Sequence, residues 1–234
     1  MWPEFLAVMK PTANPFFLPV WFDLAATFCF ALTGGIAGVR RGYDVVGVLG
    51  LALVTAVGGG LIRDGIFIQQ GPPAVATDPR YIQIVVIGAG VGALLGERVH
   101  YFRRVIATFD ALGLGAYAVF GTQKALGAGL SEPAAILVGV INAAGGGLIR
   151  DVITNEEPLV FRPGQFYVLV ALAGAVMFVV LTVQVAAVDS TVAALIVIGG
   201  TFVFRVLSIL LNWKTAALAT PPGTPPPPKP PAAN

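Results

Sequence analysis

The sequence predicts an all-α membrane protein, with seven transmembrane helices arranged as two inverted three-helix repeats plus a seventh helix, and with helices two and five broken. Three observations carry that prediction. The first is composition: 56% of the 234 residues are hydrophobic and only 11% are charged, whereas globular chains carry about 25% charged residues. The mean hydropathy is +0.85. The second is a series of apolar stretches long enough to cross a bilayer. The third is a heptapeptide that occurs twice without change.

A hydrocarbon core about 30 Å thick needs about 20 mostly apolar helical residues. Stretches meeting that need run over about 18–39, 45–69, 81–97, 105–126, 132–155, 165–187 and 190–211. The connections are short and hold most of the arginines and prolines. Residues 1–17 read as an external segment: Glu4, Lys10 and three prolines leave no continuous apolar run for a cleavable signal. Residues 213–234 read as a Pro-rich disordered cytoplasmic tail, since that composition favours polyproline II and has no apolar face to bury.

Loop charge sets the orientation. Arg40, Arg41, Arg98, Arg103, Arg104, Arg162, Lys214 and Lys229 fall on one side, against Lys10, Arg80 and Lys124 on the other. The richer side is predicted to be cytoplasmic, with the N-terminus outside and the C-terminus inside. A net charge of +2 excludes a basic nucleic-acid binder. One cysteine, Cys29, and one histidine, His100, exclude a disulfide framework and a Cys/His metal cluster. The run Gly88-Ala89-Gly90-Val91-Gly92-Ala93 matches a loose dinucleotide fingerprint, but it lies inside an apolar span rather than at a strand-to-helix turn. No cofactor is expected.

Gly58-Gly59-Gly60-Leu61-Ile62-Arg63-Asp64 recurs as Gly145-Gly146-Gly147-Leu148-Ile149-Arg150-Asp151, an offset of 87. Phe22-Asp23 and Phe109-Asp110 match in the same register. The chain therefore divides into a first repeat over 18–104, a second over 105–189 and a seventh helix over 190–212. An odd number of spans per copy makes the copies inverted, an arrangement common among transport proteins.

Each glycine in a helix costs about 1 kcal/mol relative to alanine, so triplets at Gly58, Gly59, Gly60 and at Gly145, Gly146, Gly147 need a reason. One reading is a break in each helix whose released carbonyls line a wet cation path; the other is packing alone. Gly34/Gly38, Gly88/Gly92 and Gly92/Gly96 read as ordinary close-packing pairs. Arg63, Asp64, Arg150 and Asp151 are expensive in a bilayer and must face water or each other. They either pair within a repeat, pair across the repeats, or merely lock the repeats together. Asp23 and Asp110 either attract cations or accept bonds from the arginines. Lys124 has no repeat counterpart and either snorkels to the interface or stands in the conduit. Arg205 either ties span seven to the bundle or reaches headgroups. Arg98, Arg103 and Arg104, beside Tyr101 and Phe102, either anchor topology or bind anionic lipid.

At the doubled GGGLIRD motif, the three-plus-three-plus-one span count and the external N-terminus, the sequence resembles the trimeric intracellular cation (TRIC) channel family. It is most similar to prokaryotic members, whose duplicated unit is also described as a bacterial glycine-transporter-type domain. The resemblance covers about residues 18–212. It implies a homotrimer embedded in membrane lipids, with a pore inside each protomer and potassium as the permeating ion. It also implies no enzymatic activity. Spans two and five would kink at Gly58–Gly60 and Gly145–Gly147 and line the pore. The competing reading is a secondary transporter of a small zwitterion such as glycine, with half-helix N-termini holding the carboxylate and Asp64 or Asp151 meeting the amine.

Overall fold

The computed structural model describes residues 18–98, 102–162, 166–185, 189–211 and 213. Seven helices in it are long and apolar enough to cross a membrane. They are α1 (Trp21–Arg40), α2 (Val45–Ile62, continued by a π-helical segment Arg63–Ile68), α3 (Pro79–Arg98), α4 (Phe102–Gly127), α5 (Glu132–Ile153), α6 (Tyr167–Val179, continued by a π-helical segment Val180–Gln184) and α7 (Ser190–Leu210). A single helical turn, Ala74–Thr77, lies between α2 and α3. The expected external segment 1–17 and nearly all of the tail lie outside the described residues.

Local chemistry starts these helices where the sequence places polar residues. Asp44 accepts the Gly47 N–H at 2.8 Å ahead of α2, and Asp189 accepts the N–H groups of Thr191 and Val192 ahead of α7. Such caps satisfy donors that have no intrahelical partner. Asp78 does the same for the Arg80 N–H and also takes its guanidinium, and these hydrogen bonds hold the Asp78 carboxyl below its ordinary pKa.

The duplication is visible in the packing. Phe30 of α1 and Tyr117 of α4 stand in equivalent positions and stack on one another, centroids 5.2 Å apart and planes 10° apart. Their contact lies on the pseudo-twofold axis that relates the halves. Between α2 and α5, a methyl group on Gly59 would strike the Asn142 carbonyl oxygen, and one on Gly146 would strike the Thr55 carbonyl oxygen. Thr55 and Asn142 are themselves an offset-87 pair, so the two collisions are one contact repeated by symmetry.

The expected breaks at the triplets are not observed. Helix α2 remains α-helical through Gly58–Gly60, and α5 remains so from Glu132 to Ile153. The triplets therefore release no carbonyls, and no cation site is built from backbone there. Hydrocarbon favours a helix that keeps its own hydrogen bonds, and absent side chains let two backbones touch instead. The cost of the glycines is offset by close backbone contact at the crossing of α2 and α5.

The departure from α geometry comes one step later and in one repeat only. Gln69 donates its N–H to the Asp64 carbonyl at 2.9 Å, closing a π turn. Gln69 and Asn155 both end their helices with left-handed backbone, φ 51° and 52°, and they are separated by 86 positions rather than 87. Tyr81 and Tyr167 have the same reduced separation. The π segment is thus a one-residue insertion in the first repeat, absorbed without breaking the helix.

Other glycines close each half. Gly88, Gly92 and Gly96 of α3 abut Ala31, the Leu32 carbonyl and Ile36 of α1, while Gly34 and Gly38 abut Ala52 and Val48 of α2. The GxxxG pairs thus serve intrachain packing. In the second half, Gly115 of α4 and Gly174 of α6 both receive Thr201 of α7. Helix α7 packs against the second repeat through Ala193, Ala194, Val197, Ile198, Thr201, Arg205 and Ser208.

Replacing Gly59 or Gly146 with alanine is expected to lower stability by about 1–3 kcal/mol through overpacking. Gly90→Ala and Gly199→Ala, where an added methyl group meets nothing within 4 Å, should be neutral or gain up to about 1 kcal/mol. Thermal unfolding of the four variants in detergent separates the two classes.

Candidate ion pathway

Arg63, the first residue of the π segment, is 1% exposed. Its Nε and Nη2 donate to Asp64 Oδ1 and Oδ2 at 2.7 and 3.1 Å, a two-pronged grip. Its Nη1 reaches Asp23 Oδ1 of α1 and Asn142 Oδ1 of α5, each at 3.4 Å. Tyr81 of α3 donates its hydroxyl to the other Asp23 oxygen. Lys124, in the last turn of α4, donates to both Asp64 oxygens at 2.9 Å. Asp64 also accepts the Ala74 N–H at 3.2 Å, tying down the chain that follows α2.

The second repeat rebuilds this cluster. Arg150 Nε donates to Asp151 Oδ1 at 2.9 Å, and Nη1 donates to Asp110 Oδ1 at 3.1 Å. Asp151 Oδ2 accepts the Leu159 N–H at 3.3 Å, the counterpart of the Asp64–Ala74 bond. Each arginine also crosses to the other half at equivalent positions: Arg150 donates to Thr33 Oγ1 at 3.0 Å, and Arg63 lies 5.4 Å over the Phe120 ring. Two carboxylates per guanidinium supply enough acceptors to hold a charge away from water.

Two spaces meet at Asp64. One, of about 210 Å³, is lined by Asp64, Ile68, Gln70, Pro72, Lys124 and Ala128 among others. The other, of about 10 Å³, extends past Asp64 to Gly60, Asp23, Thr27 and Tyr117; it has room for about one water molecule. The inner space stops at Gly60 and Tyr117, where the triplet crossing and the Phe30–Tyr117 stack begin.

A family model described as a glycine transporter matches this chain over residues 20–97 and again over 107–183. A UPF0126 membrane protein of Deinococcus radiodurans is 40% identical over 156 residues, 66% of this chain and 72% of that protein. The UPF0126 inner membrane protein YadS of Escherichia coli is 32% identical over 161 residues, 68% of this chain and 77% of that protein. Among solved structures, the trimeric intracellular cation channel orthologue from Rhodobacter sphaeroides superposes with a TM-score of 0.75 at 29% identity, over 82% of this chain and 97% of that one. A prokaryotic TRIC channel gives a TM-score of 0.74 at 28% identity, over 82% and 95% of the two chains.

This chain belongs to the TRIC channel family, as a prokaryotic member.

Within this TRIC-family fold, the structure selects among the pairings left open by sequence. Each arginine binds the aspartate beside it and the aspartate of its own repeat's first helix. The cross-repeat pairs Arg63–Asp151 and Arg150–Asp64 do not form, because the motifs sit at the far ends of α2 and α5, beyond the triplet crossing. Lys124 is bound to Asp64 and lines the larger of the two spaces. Arg205 is buried, its guanidinium 5.2 Å over the Tyr167 ring, so it ties α7 to the bundle instead of reaching headgroups. Arg104 is exposed, and the side chains of Arg98 and Arg103 lie outside the described residues.

Sequence reasoning missed Tyr81 and Tyr167, which read as apolar filler in their spans. A shift from offset 87 to 86 would have aligned them. It also missed Asn142, an amide in an apolar span whose Nδ2 donates to the Tyr117 carbonyl at 2.8 Å.

The same shift explains a pair of clasps at the outer ends of α2 and α5. At one end Gln70 donates its amide to the Ala128 carbonyl at 3.1 Å. At the other, the equivalent Glu156 pairs with Arg41, the counterpart of Ala128, and lies 3.7 Å from Arg162. The fold makes the same contact twice, once neutral and once ionic.

Burial separates the two kinds of ion pair. Arg41→Gln, at the exposed clasp, should cost no more than about 1 kcal/mol and lose its effect in high salt. Arg63→Gln or Arg150→Gln leaves buried carboxylates uncompensated and should cost about 3–5 kcal/mol. Unfolding midpoints of the purified variants at low and high salt check both.

Proposed function

We propose that this chain is a cation channel that passes potassium through a pore within each protomer of a homotrimer. The observation that carries the reading is the Asp64 carboxylate, which opens to a cavity of about 210 Å³ and is covered there by the Lys124 ammonium at 2.9 Å. A cation of the protein itself thus occupies the place that a permeating cation would take. Family membership and the TRIC channel structures above support the same function.

In this reading the repeats over 18–104 and 105–189 form two inverted half-pathways. Asp23, Arg63 and Asp64 line one, and Asp110, Arg150 and Asp151 line the other. The glycine triplets Gly58–Gly60 and Gly145–Gly147 form the constriction where the halves cross. The described conformation is closed: Lys124 covers one end, and backbone contact at the triplets closes the middle. Opening requires Lys124 to leave Asp64 and α2 to move against α5. No cofactor takes part, and potassium is the only ion required. The basic loops place the N-terminus outside and the C-terminus in the cytoplasm of a prokaryotic plasma membrane. The loop that carries Arg98, Arg103 and Arg104 is basic enough to attract anionic lipid headgroups on the cytoplasmic side.

One observation favours a second reading. Lys124 and Asp64 present opposite charges to one cavity, as a site for a small zwitterion would, and the matching family model is described as a glycine transporter. Planar-bilayer recording of the purified protein separates the two. Unitary currents whose reversal potential follows the potassium gradient support the channel. Their absence, with saturable uptake of labelled glycine into proteoliposomes, supports the transporter.

The lid makes a further prediction. A partly exposed pair such as Lys124–Asp64 is worth about 1 kcal/mol, so Lys124→Met should raise open probability about fivefold. Asp64→Asn should lower unitary conductance. Unchanged open probability in the lysine variant would remove Lys124 from the gate.

A further inference from the structure

The two buried clusters share a deficit of charge. In the first repeat, Asp23 and Asp64 outnumber Arg63, leaving one negative charge until Lys124 is counted. In the second, Asp110 and Asp151 outnumber Arg150 in the same way, and Lys124 has no counterpart in repeat register. The position equivalent to it past the second repeat is Leu211, an exposed apolar residue.

The cation that stands near the second cluster comes from α7, outside the duplication. Arg205 is 2% exposed and lies on the packed face of α7, one turn beyond Thr201. Its guanidinium is 5.2 Å over the ring of Tyr167. The Tyr167 hydroxyl and Asp110 Oδ1 approach one another at Gly147, lying 3.1 and 3.5 Å from the point where a methyl group on that glycine would stand. Tyr167 thus stands between the Arg205 guanidinium and the Asp110 carboxylate. The two first-helix aspartates also differ in their hydrogen bonds. Asp23 Oδ2 accepts the Tyr81 hydroxyl, whereas Asp110 Oδ2 accepts no hydrogen bond among the described residues. A buried carboxylate short of hydrogen bonds is costly unless positive charge stands near it.

We infer that Arg205 is the fourth charge of the second cluster, a positioning residue that balances Asp110, Asp151 and Arg150 from α7. The seventh helix then has an electrostatic task, to complete in the second half what Lys124 completes in the first. The two completing charges differ in access. The Lys124 side chain is 35% exposed beside a cavity, and Arg205 is enclosed by α4, α6 and its own helix. One cluster can exchange its fourth charge for an ion and the other cannot. That consequence rests on the channel reading; the charge balance itself does not.

The test is a charge cycle read by thermal unfolding of the full-length protein in detergent, which needs no current. Arg205→Gln should lower the midpoint or the folded yield, and Arg205→Lys should keep most of the wild-type value. Adding Asp110→Asn to Arg205→Gln should restore at least half of the loss, because the neutral pair recreates the balance. Recovery in the double variant, even where the single variant gives no folded protein, supports the proposal. A double variant no better than Arg205→Gln alone overturns it and leaves Arg205 as a stacking partner of Tyr167. Potassium currents recorded from the wild type judge the channel reading separately, so failure of one can be told from failure of the other.

Discussion

A guanidinium buried among seven apolar helices must be matched, charge for charge, by groups that are buried with it. Water cannot screen it there, and a single unpaired ion at that depth costs several kcal/mol. Much else in this molecule follows from that requirement. Each repeat places its arginine at the end of its second helix, grips it with the neighbouring aspartate and completes the shell with the aspartate of its first helix. Those aspartates also fasten the segments after α2 and α5, through Ala74 and Leu159. One electrostatic constraint thus fixes how three elements of each half meet.

The second constraint is steric. Charged clusters at opposite ends of α2 and α5 leave the middle of the bundle to backbone contact, and glycine is the residue that permits it. The triplets bring the two helices together at Gly59 and Gly146, beside the Phe30–Tyr117 stack. In the described conformation backbone meets backbone there. In the channel reading a conduit through this region requires α2 to move against α5, since both helices keep their own hydrogen bonds at the triplets. The π segment beginning at Arg63 is well placed for that movement: it lies between the glycine contact and the helix end, and it already departs from regular α-helical hydrogen bonding.

The inverted repeats are alike in backbone and unlike in chemistry. One half has an inserted residue, a neutral clasp at Gln70 and a lysine that can reach solvent. The other has an uninterrupted α5, an ionic clasp at Glu156 and an enclosed arginine supplied by α7. A duplication would begin with equal ends. The differences give the two ends of the bundle different chemistry.

Composition and stretch length settled the all-helical, membrane-spanning class, because burying backbone in hydrocarbon leaves few alternatives. The repeated heptapeptide settled the internal symmetry and singled out the arginines and aspartates, since charge in an apolar span is too costly to be incidental. Pairing was beyond reach of the sequence: whether Arg63 meets Asp64, Asp23 or Asp151 depends on where two helices cross, and spacing along the chain does not encode that angle. The triplets were ambiguous for the same reason. Three glycines weaken a helix and also let it pack closely, and only the presence of Asn142 and Thr55 opposite them decides which effect prevails. Arg205 shows the limit most plainly, because the Tyr167 ring beneath its guanidinium lies 38 residues away in the sequence and only the docking of α7 against α6 brings the two together.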